Sequence, residues 1–79
     1  MGAWNELDKL LDARGMRCPI PVLKARKLLA GLAPGDCLTI LATDPMAPLD
    51  LKHFCGESGH EFLSETGSGD EFRLVIRRR

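Results

Sequence analysis

Apolar side chains recur at helical spacing in two segments of this chain. In residues 19–32 they fall three or four positions apart, so they share one face of a predicted helix. These positions are Val22, Ala25, Leu28, Leu29 and Leu32. Residues 48–58 repeat the spacing, and Gly59 follows at the place where a glycine commonly ends a helix. The pattern predicts two amphipathic helices.

Four other segments have the pattern of β-strands. Residues 37–43 are aliphatic and β-branched and are bounded by turn-forming residues, which is typical of a buried strand. The short apolar run 9–12 predicts an earlier strand. Residues 61–66 and 72–77 predict two more strands, joined by the glycine-rich turn 67–70. The predicted order is strand, helix, strand, helix, strand, strand.

This order predicts the fold class. A helical crossover between the first two strands implies that they pair in parallel with a right-handed connection. The last two strands form a hairpin, so the sheet is mixed, and two helices are enough to cover one of its faces. We therefore expect an α/β two-layer sandwich of βαβαββ order, with a four-stranded mixed sheet and both helices on one face. We assign it to a domain at 9–79 after a short N-terminal extension at 1–8.

Size and charge narrow the classes of function. With 79 residues the chain has room for one domain with a modest core. Eleven basic and eleven acidic residues give a formal net charge of zero, which argues against wholesale binding to nucleic acid or to an anionic membrane. No segment approaches the ~20 apolar residues that span a bilayer. Residues 1–6 lack the features of a signal peptide.

Cysteine usage predicts the compartment. The three cysteines are an odd number at wide spacings, which matches no secreted disulfide framework. We expect reduced thiols and a cytoplasmic location.

The Cys-Pro-Ile-Pro segment at residues 18–21 carries the candidate chemistry. Proline is tolerated at the start of a helix, so Cys18 is predicted at or next to the N-cap of the first helix. The helix dipole there favours an anion, and Arg14 and Arg17 add positive charge. We therefore expect the pKa of Cys18 to lie below the ~8.5 of a free cysteine. The structural alternative is a small buried apolar residue that happens to precede a helix.

Residues 11–22, with the sequence LDARGMRCPIPV, resemble the signature of the TusA-like (SirA) sulfur-carrier family. The similarity extends over nearly the whole chain beyond its first residues. The further matching positions are Arg26-Lys27, Pro34-Gly35, Asp44-Pro45, Asp50, Phe54-Cys55, His60-Glu61 and the arginine-rich last strand.

This resemblance implies a small carrier that holds sulfane sulfur as a persulfide on Cys18. Such proteins accept sulfur from a cysteine desulfurase or a rhodanese and pass it to another carrier or acceptor protein, for tRNA thiolation, molybdenum-cofactor maturation or sulfur oxidation. We expect a monomeric, sulfurtransferase-like carrier without a full catalytic pocket and without a cofactor. Gly15, Arg17, Pro19 and Pro21 are predicted to position the thiol.

The sequence gives less support for a functional role of the other cysteines and of the histidines. Cys37 is predicted to fill the core, and Cys55 either packs in the core or acts as a secondary thiol. A metal site built from His53, Cys55 and His60 with Cys18 matches no standard zinc spacing, so we predict none.

Several charged residues of the helix and loops are candidates for partner docking or for holding the loop before Cys18. Arg26 and Lys27 form either a solvated face or a docking surface for an acidic partner. Asp44 either contacts the motif loop or caps the next segment, with capping preferred. Asp12 is a candidate to satisfy backbone N–H groups of the loop before Cys18.

Two other classes of function compete with the carrier. A thiol-redox or regulatory protein would pair Cys18 with a resolving Cys55, but the chain lacks a Cys-x-x-Cys pair. A small nucleic-acid-binding module would need exposed aromatic residues for stacking, and the chain has no tyrosine and one tryptophan.

Overall fold

The computed structural model describes residues 8–79, and its elements follow the predicted order. They are β1 (Asp8–Ala13), α1 (Ile20–Ala30), β2 (Cys37–Ala42), α2 (Ala47–Ser58), β3 (Glu61–Ser68) and β4 (Glu71–Arg77). Asp8, which we predicted in the N-terminal extension, opens β1. The rest of that extension, including the segment 1–6 that lacks signal-peptide features, lies outside the described residues.

The four strands form one mixed sheet in the order β1-β2-β4-β3. β1 and β2 pair in parallel, with Ala13 opposite Ala42 at their carboxyl ends. β4 runs antiparallel to both of its neighbours. A tight turn joins β3 to β4, and its Gly69 has φ 64°, a conformation that favours glycine. The predicted fold class is confirmed.

Both helices cover the same face of the sheet, and the core lies between the two layers. Alternate residues of β2 and β4 point toward the helices and are buried, as the period of two along a strand requires. One cluster of buried residues joins the sheet to both helices: Leu11, Ala13, Ala25, Leu29, Leu38, Ile40, Leu51, Cys55, Leu74 and Ile76.

The buried face of α1 differs from the predicted one. Pro21, Ala25 and Leu29 form a buried row four residues apart, whereas Leu28 is 40% exposed. A helix lying on a sheet buries the narrow row nearest to it, and Leu28 is turned about 100° from Leu29 around the axis. The buried face of α1 is therefore narrower than predicted, because it excludes Leu28.

The helix α1 is shorter than the segment 19–32 whose spacing predicted it, but Gly31, which with Pro34-Gly35 was a predicted place for it to end, is confirmed as its end. Pro19 stands at the N-cap and the helix ends at Ala30, with Gly31 as the C-cap, so Leu32 packs against the core from outside the helix. In α2 the predicted ending is confirmed, because Gly59 takes φ 86° and donates its N–H to the Cys55 carbonyl.

Leu29 and Leu28 provide a matched test of this packing. We expect Leu29→Ala to lower the free energy of unfolding by roughly 2–5 kcal/mol, because it leaves a cavity in the core. Leu28→Ala makes the same chemical change on a side chain that is already 40% exposed, and should cost far less. Denaturant unfolding followed by circular dichroism measures both. Equal losses of unfolding free energy in the two variants would show that Leu28 contributes to the core as much as Leu29 does.

Candidate functional site

The loop between β1 and α1 carries the candidate thiol. Cys18 is exposed and immediately precedes Pro19, the N-cap of α1, through a cis peptide bond. The prediction that Cys18 lies next to the N-cap is therefore confirmed, although Pro19 occupies the cap and not the first helical position. Pro21 is the second helical residue, and its ring is buried in the core.

Two backbone hydrogen bonds hold this loop against the loop that follows β2. Gly15 donates its N–H to Thr43 Oγ1 at 2.9 Å, and Cys18 donates its N–H to Asp44 Oδ2 at 2.6 Å. Gly15 has φ 80°, which a side chain would strain. Because β1 and β2 are parallel and adjacent, the loops at their carboxyl ends leave the sheet side by side.

Asp44 also fixes the start of the second helix. Its Oδ1 accepts the N–H of Met46, the N-cap residue of α2, at 3.0 Å. These two bonds, first from Met46 and then from Cys18, hold the pKa of Asp44 below its usual value, and the nearby Arg17 charge adds to the effect. Capping was the preferred prediction for Asp44, but among residues 8–79 no side chain caps α2, and Asp44 instead joins the Cys18 N–H to that of the N-cap residue Met46.

The side chain nearest to the thiol is one that our site prediction missed. Asp50 lies in the first turn of α2, and its Oδ2 accepts a hydrogen bond from Cys18 Sγ. Asp50 appeared only as one of the positions shared with the family. No local pattern around Cys18 could reveal the contact, because 32 residues separate the two side chains along the chain.

The predicted low pKa of Cys18 is wrong in direction. The hydrogen bond to Asp50 raises the pKa of the thiol, and partial desolvation and the charges of Asp50 and Asp44 add to it. Arg14 does not oppose these charges, because it pairs with Asp12 at 2.8 Å and Glu71 at 3.2 Å. The same Arg14 hydrogen bonds lower the pKa of Asp12 to about 2.

Cys18 and Asp50 lie in an open groove of about 320 Å³ between the start of α1 and one side of α2. Its other lining residues are Pro19, Val22, His53, Phe54 and Glu57. The apolar side chains Ile20, Leu23, Met46 and Leu49 are 44–61% exposed on the same helical turns. We call these four residues the apolar collar. The first turns of both helices therefore expose apolar side chains, and the thiol beside α1 is exposed as well.

The other two thiols have different environments. Cys55 is 3% exposed within the core, and burial raises its pKa to about 11, so it is not presented as a secondary thiol. Cys37 is half-buried at the start of β2, on the sheet face opposite the helices, where it pairs with Arg77. The prediction that Cys37 fills the core is wrong, because the strand alternation turns its neighbour Leu38 inward instead.

The histidines of the candidate metal site have other contacts. His60 Nδ1 accepts the Arg79 N–H at 3.1 Å, and its ring lies tilted against Phe54 with the ring centroids 5.7 Å apart. His53 Nε2 lies 3.9 Å from a carboxylate oxygen of Glu57. Among residues 8–79, no group of three or more histidine, cysteine or acidic side chains is arranged to hold a metal ion.

The residues predicted for partner docking are exposed. Arg26 and Lys27 lie on α1 outside its buried row. No helix within residues 8–79 has the length and apolar character needed to cross a membrane.

Comparison with known proteins identifies the family. The family model described as "Sulfurtransferase TusA" matches residues 9–78. The chain belongs to the TusA family. The sulfur carrier protein TusA of Allochromatium vinosum is 34% identical over 73 residues, which are 92% of this chain and 96% of that protein. A Neisseria meningitidis serogroup A protein, provisionally named a sulfur carrier, is 44% identical over 72 residues, 91% of this chain and 97% of that protein.

A solved structure of the same group supports the fold. The crystal structure of the SirA-like protein from Desulfitobacterium hafniense matches with a TM-score of 0.79 and 27% identity, covering 87% of this chain and 95% of that one. The TusA-type fold thus accounts for the whole sandwich.

We expect the pKa of Cys18 to be higher than that of an ordinary cysteine. The variant Asp50→Asn should lower this pKa, because it removes the nearest negative charge. Thiolate ultraviolet absorbance against pH measures this, with Cys37 and Cys55 replaced so that one thiol titrates. A midpoint that Asp50→Asn leaves unchanged would show that Asp50 does not control the ionisation of Cys18.

Proposed function

We propose that this protein is a sulfur carrier that accepts sulfane sulfur as a persulfide on Cys18 and relays it to an acceptor protein. The observation that carries the proposal is the contrast among the three thiols. Cys18 is exposed in a groove between the start of α1 and one side of α2, while Cys37 is half-buried and Cys55 is buried. The names of its relatives as sulfur carriers support the same function.

The chemistry is an exchange between sulfur atoms. The acceptor thiol attacks the outer sulfur of a donor persulfide, and the donor thiolate leaves. The reacting sulfur must therefore be reachable by another protein's active site, which the open groove allows. Once loaded, the terminal sulfur is more acidic than a thiol, and the N-terminus of α1 favours its anion.

A sulfur carrier must meet at least two proteins. We infer a cysteine desulfurase or a rhodanese as donor and a second carrier or sulfur-accepting protein as recipient. The apolar collar supplies buried contact area in such encounters, and Arg26 with Lys27 supplies charge along the same helix. A cytoplasmic location and a monomeric state stay predictions from the sequence.

The thiol-redox alternative needs a second thiol within reach of solvent and of Cys18. Cys55 is the candidate for that role, and its burial in the core with a pKa of about 11 disfavours it. An intramolecular disulfide would have to draw this side chain out of the core.

We expect Cys18→Ser to take up no transferable sulfur, because neither other thiol is presented to a donor. Cys37→Ser is the matched control and should load like the parent. Intact mass after incubation with a cysteine desulfurase and cysteine reports the result as a gain of one sulfur. Loading of Cys18→Ser at the parental rate would refute the assignment, and a loss of two hydrogens by the parent would favour the redox function.

If Arg26 and Lys27 bind an acidic partner, the rate of sulfur transfer from a protein donor should depend on salt concentration. Reversing Arg26 and Lys27 to glutamate should slow sulfur transfer from a protein donor at low salt, and the loss should shrink as salt rises, since rim charges act mainly on association rate. Lys9→Glu is the control, because Lys9 lies near the amino end of β1 and Cys18 follows the carboxyl end.

Loading by inorganic polysulfide, which needs no protein docking, should be nearly unaffected by these reversals. A parallel fall in both kinds of loading would mean that Arg26 and Lys27 support the fold or the thiol, and the docking hypothesis would be rejected.

A further inference from the structure

We propose that Asp50 is a catalytic residue of sulfur transfer, whose carboxylate takes the proton of Cys18 Sγ as sulfur is loaded and returns a proton to Sγ when sulfur is discharged. The proposal rests on the proposed function, in which Cys18 carries the sulfur.

The contact that carries the proposal joins two different helices. Cys18 Sγ donates its hydrogen bond to Asp50 Oδ2, so a proton acceptor already lies on the atom that must lose its proton. A general base has to be within hydrogen-bond reach of the proton that it removes, and this geometry meets that condition.

The position of Asp50 is set by the same network that holds the thiol loop. Asp50 donates its N–H to the Met46 carbonyl at 2.9 Å, and Met46 donates its own N–H to Asp44. Asp44 in turn accepts the Cys18 N–H. A closed set of contacts therefore fixes the carboxylate of Asp50 relative to Cys18 Sγ.

A base is needed because the thiol is not ionised on its own. The pKa of Cys18 is raised by Asp50 and by partial desolvation, so the thiol is protonated at neutral pH. The thiolate is the nucleophile in exchange with a persulfide. The proton must therefore leave as the new bond forms.

Other groups near the thiol are less suited to accept this proton. His53 and Glu57 line the groove, but neither has a hydrogen bond to Cys18 in the structure. Arg17 is cationic and cannot accept a proton. Asp44 points both of its oxygens at backbone N–H groups.

The loading step balances without an oxidant. Cys18 Sγ forms a bond to the outer sulfur of the donor persulfide while its proton moves to Asp50 Oδ2. The sulfur–sulfur bond of the donor breaks, and its electron pair leaves with the inner sulfur as a thiolate. Asp50 then gives the proton to that thiolate, so the donor ends as a thiol and Cys18 as a persulfide.

Discharge is the same exchange in reverse. The acceptor thiol attacks the terminal sulfur of the Cys18 persulfide, and its proton moves to Asp50. The bond between Sγ and the terminal sulfur breaks, and Asp50 returns the proton to Sγ. Because Asp50 and Cys18 face the same open groove, the carboxyl group can serve both partners in turn.

If Asp50 acts only through its charge, the variant Asp50→Asn should change the loading rate in the direction opposite to that expected for a base. Asp50→Asn removes a negative charge and raises the thiolate fraction, so without base catalysis it should load sulfur faster at neutral pH. If Asp50 acts as the base, the variant should load on the order of 10²-fold more slowly at neutral pH, the lower range for general base catalysis, although its thiol ionises more easily.

The experiment measures loading by inorganic polysulfide, by intact mass against time and pH, in a Cys37→Ser background. The expected result is a slow Asp50→Asn variant, partial rescue by Asp50→Glu, and convergence with the parent above the ionisation midpoint of the parent thiol. Asp70→Asn is the matched control, since it makes the same chemical change on an exposed carboxylate in the turn between β3 and β4. Circular dichroism verifies that each variant is folded.

Faster loading by Asp50→Asn at neutral pH, or an equal loss with Asp70→Asn, would overturn the proposal. Alkylation of Cys18 by iodoacetamide across the same pH range tests the role of Asp50 independently of the carrier function. If the parent protein takes up no sulfur, the carrier function fails. Iodoacetamide reports the thiolate fraction, so Asp50→Asn should be alkylated faster than the parent at neutral pH although it loads sulfur more slowly. A rise of both rates together would reject Asp50 as the base and leave the carrier function standing.

Discussion

The Asp44 carboxylate is the contact on which the geometry of this site depends. One oxygen accepts the Cys18 N–H and the other accepts the Met46 N–H, so one side chain joins the loop before α1 to the start of α2. Parallel pairing of β1 and β2 makes this possible, because it brings both loops to the same edge of the sheet. Together with the bond from the Gly15 N–H to Thr43 Oγ1, this contact fixes the two helix N-termini relative to each other.

The resulting site combines opposing electrostatic effects. A helix N-terminus favours an anion at Cys18, whereas the carboxylates of Asp50 and Asp44 disfavour one. Among the causes that raise the pKa of the thiol, the hydrogen bond to Asp50 is the largest. The helix dipole extends over about one turn and is screened at an exposed position, while the carboxylate is in direct contact with the sulfur.

The three thiols show how position in one small fold separates chemical roles. Cys55 packs in the core and is held protonated by burial. Cys37 lies on the sheet face away from the helices. Only Cys18 follows a strand at the sheet edge where two loops and two helix N-termini meet. A TusA-type sandwich can thus contain several cysteines and still present one of them to partners.

The sequence by itself determined the order of the elements, the mixed sheet and the position of Cys18 next to a helix start, because spacing, proline and glycine act locally. It could not determine that Leu28 is exposed, since the width of a buried face depends on what the helix packs against. The pairing of Cys18 with Asp50 was likewise decided only by the tertiary structure. These side chains are 32 residues apart, and their contact depends on how the two helices pack side by side on the sheet, which no local spacing of residues encodes.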